Sequence, residues 1–165
     1  MNLYFLLIFT LLLPFQEANQ KLNVIDIRGN VYDLGESKDV ELILFINDKY
    51  CIDCFKKIKL LSNQYISNSI NFVSRTNNNI ISRKKSINSI RTIFNSVDVF
   101  FDIHDENNKM AYKGYHEGLF SQFNIVTTPA LLIRTEAGYK FYNYKQLFSN
   151  SNQLKSIFKL HFKNF

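Results

Sequence analysis

The chain has 165 residues, of which 46% are hydrophobic and 21% charged, a balance typical of one globular domain rather than a disordered or collagen-like chain. Its net charge is +6, but the basic residues are scattered apart from one short run, so the sequence does not indicate a nucleic-acid-binding stripe. We expect a basic surface exposed to solvent, with at most transient contact with a membrane surface.

Residues 1–20 are predicted to be a signal peptide. Residues 3–13 are almost uninterrupted apolar residues, a run too short to span a bilayer comfortably but of the length found in signal peptides. Pro14 ends this run and a polar segment follows. We therefore expect an exported protein, periplasmic or secreted, whose mature domain comprises residues 21–165; the alternative is an uncleaved anchor.

The mature domain begins with a hairpin signal and a central strand. Residues 24–27 and 31–34 are two short β-prone runs on either side of a turn that contains Gly29. A strand is predicted at residues 41–46, of which 42–46 form a continuously apolar run. Because this run does not alternate with polar residues, it predicts a strand that is covered on both faces.

The two cysteines of the chain come directly after this strand. Cys51 and Cys54 are separated by two residues and stand at the start of a predicted helix, whose apolar side continues through Ile58, Leu61 and Tyr65. The N-terminus of a helix carries partial positive charge and unpaired N–H groups, which favour a thiolate over a thiol. The spacing therefore predicts a nucleophilic Cys51 with Cys54 as its partner in thiol–disulfide exchange.

Helices and strands alternate through the remainder of the chain. Strands are predicted at residues 70–74 and 97–103, with a helix at 83–94 between them. Thr128 and Pro129 then open an apolar strand, where a proline is tolerated at the first position. A hairpin strand at 139–142 and an amphipathic helix at 151–162 follow. This order predicts an α/β sandwich.

A strand, a Cys-x-x-Cys helix, a β–α–β unit, Thr-Pro at a strand start, a hairpin and a last helix together resemble the thioredoxin superfamily. The N-terminal hairpin and the additional segment at 101–124 are similar to the TlpA/ResA-type envelope oxidoreductases and redoxins. The resemblance implies a thioredoxin-like three-layer α/β/α sandwich, with a central mixed sheet and an N-terminal β-hairpin extension. It covers nearly all of residues 21–165.

The resemblance also implies roles for individual residues. Cys51 would attack and Cys54 would resolve the mixed disulfide. Pro129 would be a cis-proline packed against the disulfide. Thr128 would offer its backbone to an extended substrate, and Tyr50 stands beside the cysteines where the family usually has Trp.

Three departures from the family pattern bear on the chemistry. Ile52-Asp53 replaces the familiar Gly-Pro pair between the cysteines. The carboxylate of Asp53 should disfavour the Cys51 thiolate. The nearby lysines Lys49, Lys56 and Lys57 should favour it. Phe45 occupies the position of the buried acid that thioredoxin uses for proton transfer, so resolution would need water or another base.

The predicted function is thus that of an exported thiol–disulfide oxidoreductase in cell redox homeostasis. It would exchange the Cys51–Cys54 dithiol and disulfide with partner proteins, including an upstream redox partner, as a monomer and without a cofactor. The sequence leaves the redox direction open between reductase, oxidase and isomerase.

Three other functions compete with this prediction. A scaffold domain with a structural Cys51–Cys54 disulfide is disfavoured because so short a loop removes little chain entropy. A copper-delivery protein would use the two cysteines and one histidine, but the spacings of the histidines match no metal motif, so no metal site is predicted. A peroxiredoxin needs Thr three residues before its reactive cysteine, where this chain has Asp48. The histidines are His104, His116 and His161.

Overall fold

The computed structural model describes residues 21–36, 42–47, 51–66, 70–75, 79–95, 97–103 and 118–162. The predicted signal peptide and four residues discussed above, Asp48, Tyr50, His104 and His116, lie outside these ranges. What the sequence predicts of them therefore stays a prediction. The strands of the described part are β1 (Asn23–Ile25), β2 (Val31–Asp33), β3 (Leu42–Ile46), β4 (Ile70–Ser74), β5 (Asp98–Asp102), β6 (Ala130–Thr135) and β7 (Gly138–Tyr142). The helices are α1 (Ile52–Tyr65), α2 (Ile80–Arg91), α3 (Leu119–Gln122), α4 (Tyr144–Leu147) and α5 (Gln153–His161).

The described strands form one mixed sheet in the order β2-β1-β5-β4-β3-β6-β7. Strands β3, β4 and β5 are parallel, and the helices α1 and α2 connect them. The other neighbouring strands pair antiparallel. The predicted central mixed sheet and its N-terminal hairpin, β1–β2, are therefore confirmed.

Strand β3 lies inside the sheet, between β4 and β6, and is buried on both faces, as its continuous apolar run predicts. Leu42, Leu44 and Ile46 pack into the cluster that contains the apolar faces of α1 and α5. Ile43 and Phe45 point to the opposite face and pack into a second cluster with α3. This alternation follows from the two-residue period of a strand, and it places helices on both sides of the sheet.

Two helix boundaries differ from the sequence prediction. Helix α2 begins at Ile80 instead of residue 83, because the side chain of Asn79 accepts a hydrogen bond from the backbone N–H of Ser82 at 2.9 Å and caps the helix there. The last helix begins at Gln153 instead of residue 151. The short helix α4 before it was not predicted. None of the helices in the described ranges has the length and apolar composition needed to cross a bilayer.

Candidate active site

The two cysteines form a disulfide at the N-terminus of α1. Cys51 is the N-cap residue, and its Sγ accepts a hydrogen bond from the backbone N–H of Cys54 at 3.2 Å. Cys51 is half-buried, whereas Cys54 is only 7% exposed. The sulfur of Cys51 therefore receives the favourable field of the helix N-terminus, and Cys51 is the more accessible cysteine of the pair.

The Thr128–Pro129 segment lies at the same edge of the sheet as the cysteines. Strand β6 runs antiparallel to β3, and its first residue, Ala130, pairs with Phe45 near the end of β3. The residues just before Ala130 are thus placed beside the C-terminal end of β3, the strand that precedes Cys51 in the chain. The peptide bond between Thr128 and Pro129 is cis, and both residues are buried. Among the described residues, the hydroxyl of Thr128 has no hydrogen-bond partner.

An open groove of about 510 Å³ runs beside the disulfide, between α1 and the segment that contains α4 and α5. Both cysteines line it. Lys57 and Asp53 stand on the α1 side, and Lys155 stands on the α5 side. We call it the disulfide groove. Its remaining lining residues are Leu60, Leu61, Tyr144, Phe148, Asn150, Ser151, Asn152 and Leu154.

The phenol of Tyr144 is in contact with the buried cysteine. Its Oη lies 3.8 Å from Sγ of Cys54, within hydrogen-bonding distance for sulfur. Tyr144 is the first residue of α4, and a capping box between Asn143 and Gln146 fixes the start of this helix. The ring of Tyr144 also packs against Phe148, with 5.1 Å between centroids.

Sequence reasoning missed Tyr144 and Lys155 as site residues. The sequence predicts only a hairpin strand at 139–142, and Tyr144 lies 90 positions from Cys54 in the chain. The one local signal was the Asn143-x-x-Gln146 spacing, which indicates a helix start. That signal could have located α4, but the contact with Cys54 depends on how β6, β7 and α4 return to α1.

Phe45 lies where the resemblance places a buried acid. It is fully buried, and its ring contacts Phe120 and Phe123 with centroids 5.5 and 6.1 Å apart. An apolar aromatic cluster therefore surrounds this position of β3.

His161 is half-buried at the end of α5 and does not line the disulfide groove. Its Nε2 lies 2.6 Å from Oη of Tyr142. Burial lowers the pKa of His161 below its ordinary value, and the nearby positive charge of Lys140 lowers it further. Within the described ranges, no group of three or more His, Cys, Asp or Glu side chains could hold a metal ion.

Comparison with solved structures identifies the class of fold. No family model and no curated protein sequence matches the chain. Among solved structures, it is similar to a thioredoxin-like protein from Porphyromonas gingivalis, with a TM-score of 0.54, 12% identity and coverage of 86% of this chain and 88% of the other. It is also similar to a secreted Mycobacterium tuberculosis disulfide oxidoreductase homologous to E. coli DsbE. That comparison gives a TM-score of 0.54 at 10% identity, with coverage of 85% of this chain and 96% of the other.

A thiol-disulfide oxidoreductase from Bacteroides fragilis is similar to the same extent. Its TM-score is 0.54 at 14% identity, and the alignment covers 84% of this chain and 97% of the other. These matches extend over nearly the whole of each solved chain. The protein therefore has a thioredoxin-like α/β fold, and the predicted fold class is confirmed.

Proposed function

We propose that this protein is an exported thiol–disulfide oxidoreductase that exchanges the Cys51–Cys54 disulfide with cysteines of partner proteins. The observation that supports it best is the arrangement of the pair. Cys51 is half-buried at the N-terminus of α1, and Cys54 is buried behind it. A thioredoxin-like fold presents this pair at a sheet edge, where an incoming protein can reach it.

Exchange proceeds in two steps through a mixed disulfide on Cys51. In the reducing direction, the Cys51 thiolate attacks a partner disulfide, and one partner sulfur leaves with the electron pair of the broken bond and takes up a proton. The Cys54 thiolate then attacks Sγ of Cys51, restores the intramolecular disulfide and releases the second partner sulfur as a thiolate. The partner gains two electrons and the cysteine pair loses them. In the oxidising direction both steps run in reverse.

Thr128, Pro129 and Tyr50 are proposed to bind the partner segment next to the reacting sulfur. The position of Thr128 and Pro129 at the cysteine edge of the sheet supports this role. An extended segment of the partner would pair with the backbone there, as an added strand does. The ring of Tyr50 would cover the apolar part of the segment.

Export is proposed from the apolar N-terminal run, and one of the similar solved structures is of a secreted protein. In a periplasmic or extracellular environment a disulfide forms and persists, so an upstream redox partner would set the oxidation state of Cys51 and Cys54. The protein would serve cell redox homeostasis through this pair, as a monomer without a cofactor.

Insulin reduction with dithiothreitol as the electron donor tests the function. We expect Cys51→Ser to abolish catalysed reduction, because the other cysteine, Cys54, is buried and cannot reach a partner disulfide. Cys54→Ser should instead accumulate mixed disulfides on Cys51, which appear as reductant-sensitive adducts on a gel. Unchanged turnover of the Cys51→Ser protein would rule the proposal out. Parallel assays of peroxide consumption and of copper binding by the reduced protein separate the peroxidase and copper-delivery functions.

A further inference from the structure

The disulfide groove is bordered by lysines. Lys57 and Lys155 stand on its two sides, and Asp53 is the one acidic residue among its lining residues. The surrounding segments continue this bias. Residues 51–66 and 143–162 together expose Lys56, Lys57, Lys145, Lys155 and Lys159, against Asp53 alone, while Lys59 donates to the backbone carbonyl of Ile93. The groove that adjoins both sulfurs is therefore positively charged.

We propose that this groove binds an acidic segment of the partner protein that flanks the exchanging cysteine. This inference rests on the proposed function and names its substrate class. Carboxylates beside the partner cysteine would be attracted by Lys57 and Lys155. The exposed side chain of Leu60 and the half-buried ring of Phe148 supply apolar contact in the same groove. Complementary charge acts mainly on the rate of encounter, and salt screens it.

Three cysteine peptides that differ only in their flanking residues test this specificity. Acidic, neutral and basic peptides are each activated as a mixed disulfide with thionitrobenzoate and added to the reduced Cys54→Ser protein. Attack by the Cys51 thiolate forms the Cys51–peptide disulfide and releases thionitrobenzoate, whose absorbance gives the rate. We expect the acidic peptide to react on the order of tenfold faster than the basic one at low salt, with the difference lost at high salt.

Two charge-reversal variants separate the groove from the overall charge. Lys57→Glu/Lys155→Glu should reverse the order of the peptides. Lys84→Glu/Lys85→Glu makes the same change in net charge on the exposed side of α2 and should preserve the order. Equal rates for the three peptides, or equal effects of the two double variants, would overturn the inference and leave the proposed function intact. Failure of Cys51 to react with any peptide would instead contradict the proposed function.

An independent observation concerns Tyr144, whose Oη lies 3.8 Å from Sγ of Cys54. When a thiolate attacks Cys51 and the disulfide breaks, the electron pair of the bond passes to the buried Cys54 sulfur. A buried thiolate without a hydrogen bond is costly. Phe45 on β3 offers none, because its side chain carries no hydrogen-bonding group and packs in an apolar cluster.

We infer that the Tyr144 hydroxyl donates a hydrogen bond to the Cys54 thiolate and stabilises it as leaving group and as resolving nucleophile. Phenols are weaker acids than thiols, so the hydroxyl keeps its proton and acts through the hydrogen bond. The capping box at Asn143 and the packing on Phe148 hold the ring in place. This inference also rests on the proposed function, and it supplies the polar group that Phe45 does not.

Tyr144→Phe removes the hydroxyl and keeps the ring. In a Cys51→Ser background Cys54 is the one remaining thiol, and its thiolate absorbance near 240 nm gives the pH midpoint of its ionisation. We expect Tyr144→Phe to raise this midpoint by on the order of one pH unit, since hydrogen bonds to charged groups are strong. Tyr65→Phe, near the far end of α1, is the matched control and should leave the midpoint unchanged.

The kinetics of the complete cysteine pair give a second readout. A monothiol should open the Cys51–Cys54 disulfide roughly threefold more slowly in Tyr144→Phe, because a more basic thiolate is a poorer leaving group. Loss of packing alone would not raise the Cys54 midpoint. An unchanged midpoint together with an unchanged opening rate would overturn this inference, while the dependence of insulin reduction on Cys51 would still test the proposed function separately.

Discussion

At the scale of single residues, Asp102 shows how a buried carboxylate organises the entry to α3. Asp102 is 2% exposed, and its two side-chain oxygens accept hydrogen bonds from the backbone N–H groups of Leu119 at 2.8 Å and Phe120 at 3.2 Å. These are the first N–H groups of α3, which lack partners within the helix. The carboxylate of β5 thus fixes the short helix that covers Phe45.

Gly118 is required by this arrangement, since a Cβ at this position would overlap the Asp102 carboxylate. We expect Gly118→Ala to lower the free energy of unfolding by about 1–3 kcal/mol, because either the carboxylate or α3 must shift. Urea denaturation measures the change. Gln122→Ala, at an exposed position of the same helix, is the control and should change stability by less than about 0.5 kcal/mol. Equal stability of the Gly118→Ala and wild-type proteins would contradict the close contact.

His161 makes stability depend on pH. Its pKa is lowered in the folded protein by burial and then by Lys140. The unfolded chain, with an ordinary value of 6.5, therefore binds a proton at a higher pH than the folded protein does. Stability is unaffected above this value and is lost as the pH falls through 6.5 toward the lower folded pKa.

We therefore expect the urea midpoint of the wild-type protein to fall between about pH 7.5 and pH 5, and His161→Gln to reduce this dependence. Lys140→Gln removes the charge that contributes to the shift and should reduce the dependence in part. The measurement compares urea midpoints of the three proteins across this range. An identical slope in the His161→Gln protein would assign the pH dependence to other groups.

At the scale of secondary structure, the charge of Asp53 in the first turn of α1 has two opposing effects. Asp53 is an exposed acidic residue in this turn, where a carboxylate interacts favourably with the positive end of the helix. The same charge stands between the two cysteines and opposes a thiolate on Cys51. Helix stability and cysteine ionisation therefore respond to Asp53 with opposite signs.

We expect Asp53→Asn to shift the pH midpoint of Cys51 ionisation downward by a few tenths of a pH unit and to lower the free energy of unfolding by about 0.3–1 kcal/mol. Thiolate absorbance in a Cys54→Ser background measures the first effect, and urea denaturation measures the second. Asp98→Asn removes an exposed carboxylate from β5 and controls for net charge. Equal shifts in the two variants would show that overall charge, not the helix position of Asp53, acts on Cys51.

The same helix shows what sequence patterns reveal and what they do not. Strand β3 and helix α1 were predictable because their apolar residues recur with the periods of a strand and a helix. Helix α4 has one turn, too short for a periodic pattern, and only its capping spacing marks it. The contact of Tyr144 with Cys54 follows from the return of the β6–β7 hairpin to α1, which no local pattern encodes. The same holds for the placement of Lys57 and Lys155 on opposite sides of the disulfide groove.

At the scale of the whole molecule, the core does not depend on the disulfide. Its two main clusters lie on opposite faces of the sheet and draw on β3, α1 and α5 on one side and on β3, β6 and α3 on the other. Cys54 is buried at the border of this core, and Cys51 is half-buried. The disulfide closes a loop with a sequence separation of 3, which restricts the unfolded chain very little.

We therefore expect reduction to leave the fold intact and to change the free energy of unfolding by no more than about 2 kcal/mol, the value that chain entropy gives for so short a loop. Urea denaturation with and without reductant, followed by far-UV circular dichroism, measures this difference. The Cys51→Ser/Cys54→Ser protein gives the same comparison without reductant. By the thermodynamic cycle, the free energy that the disulfide adds to folding equals the free energy that folding adds to disulfide formation. A small difference in the free energy of unfolding therefore means a disulfide that partner thiols can readily open. Unfolding on reduction would instead mark Cys51–Cys54 as a structural disulfide and favour the scaffold function over redox exchange.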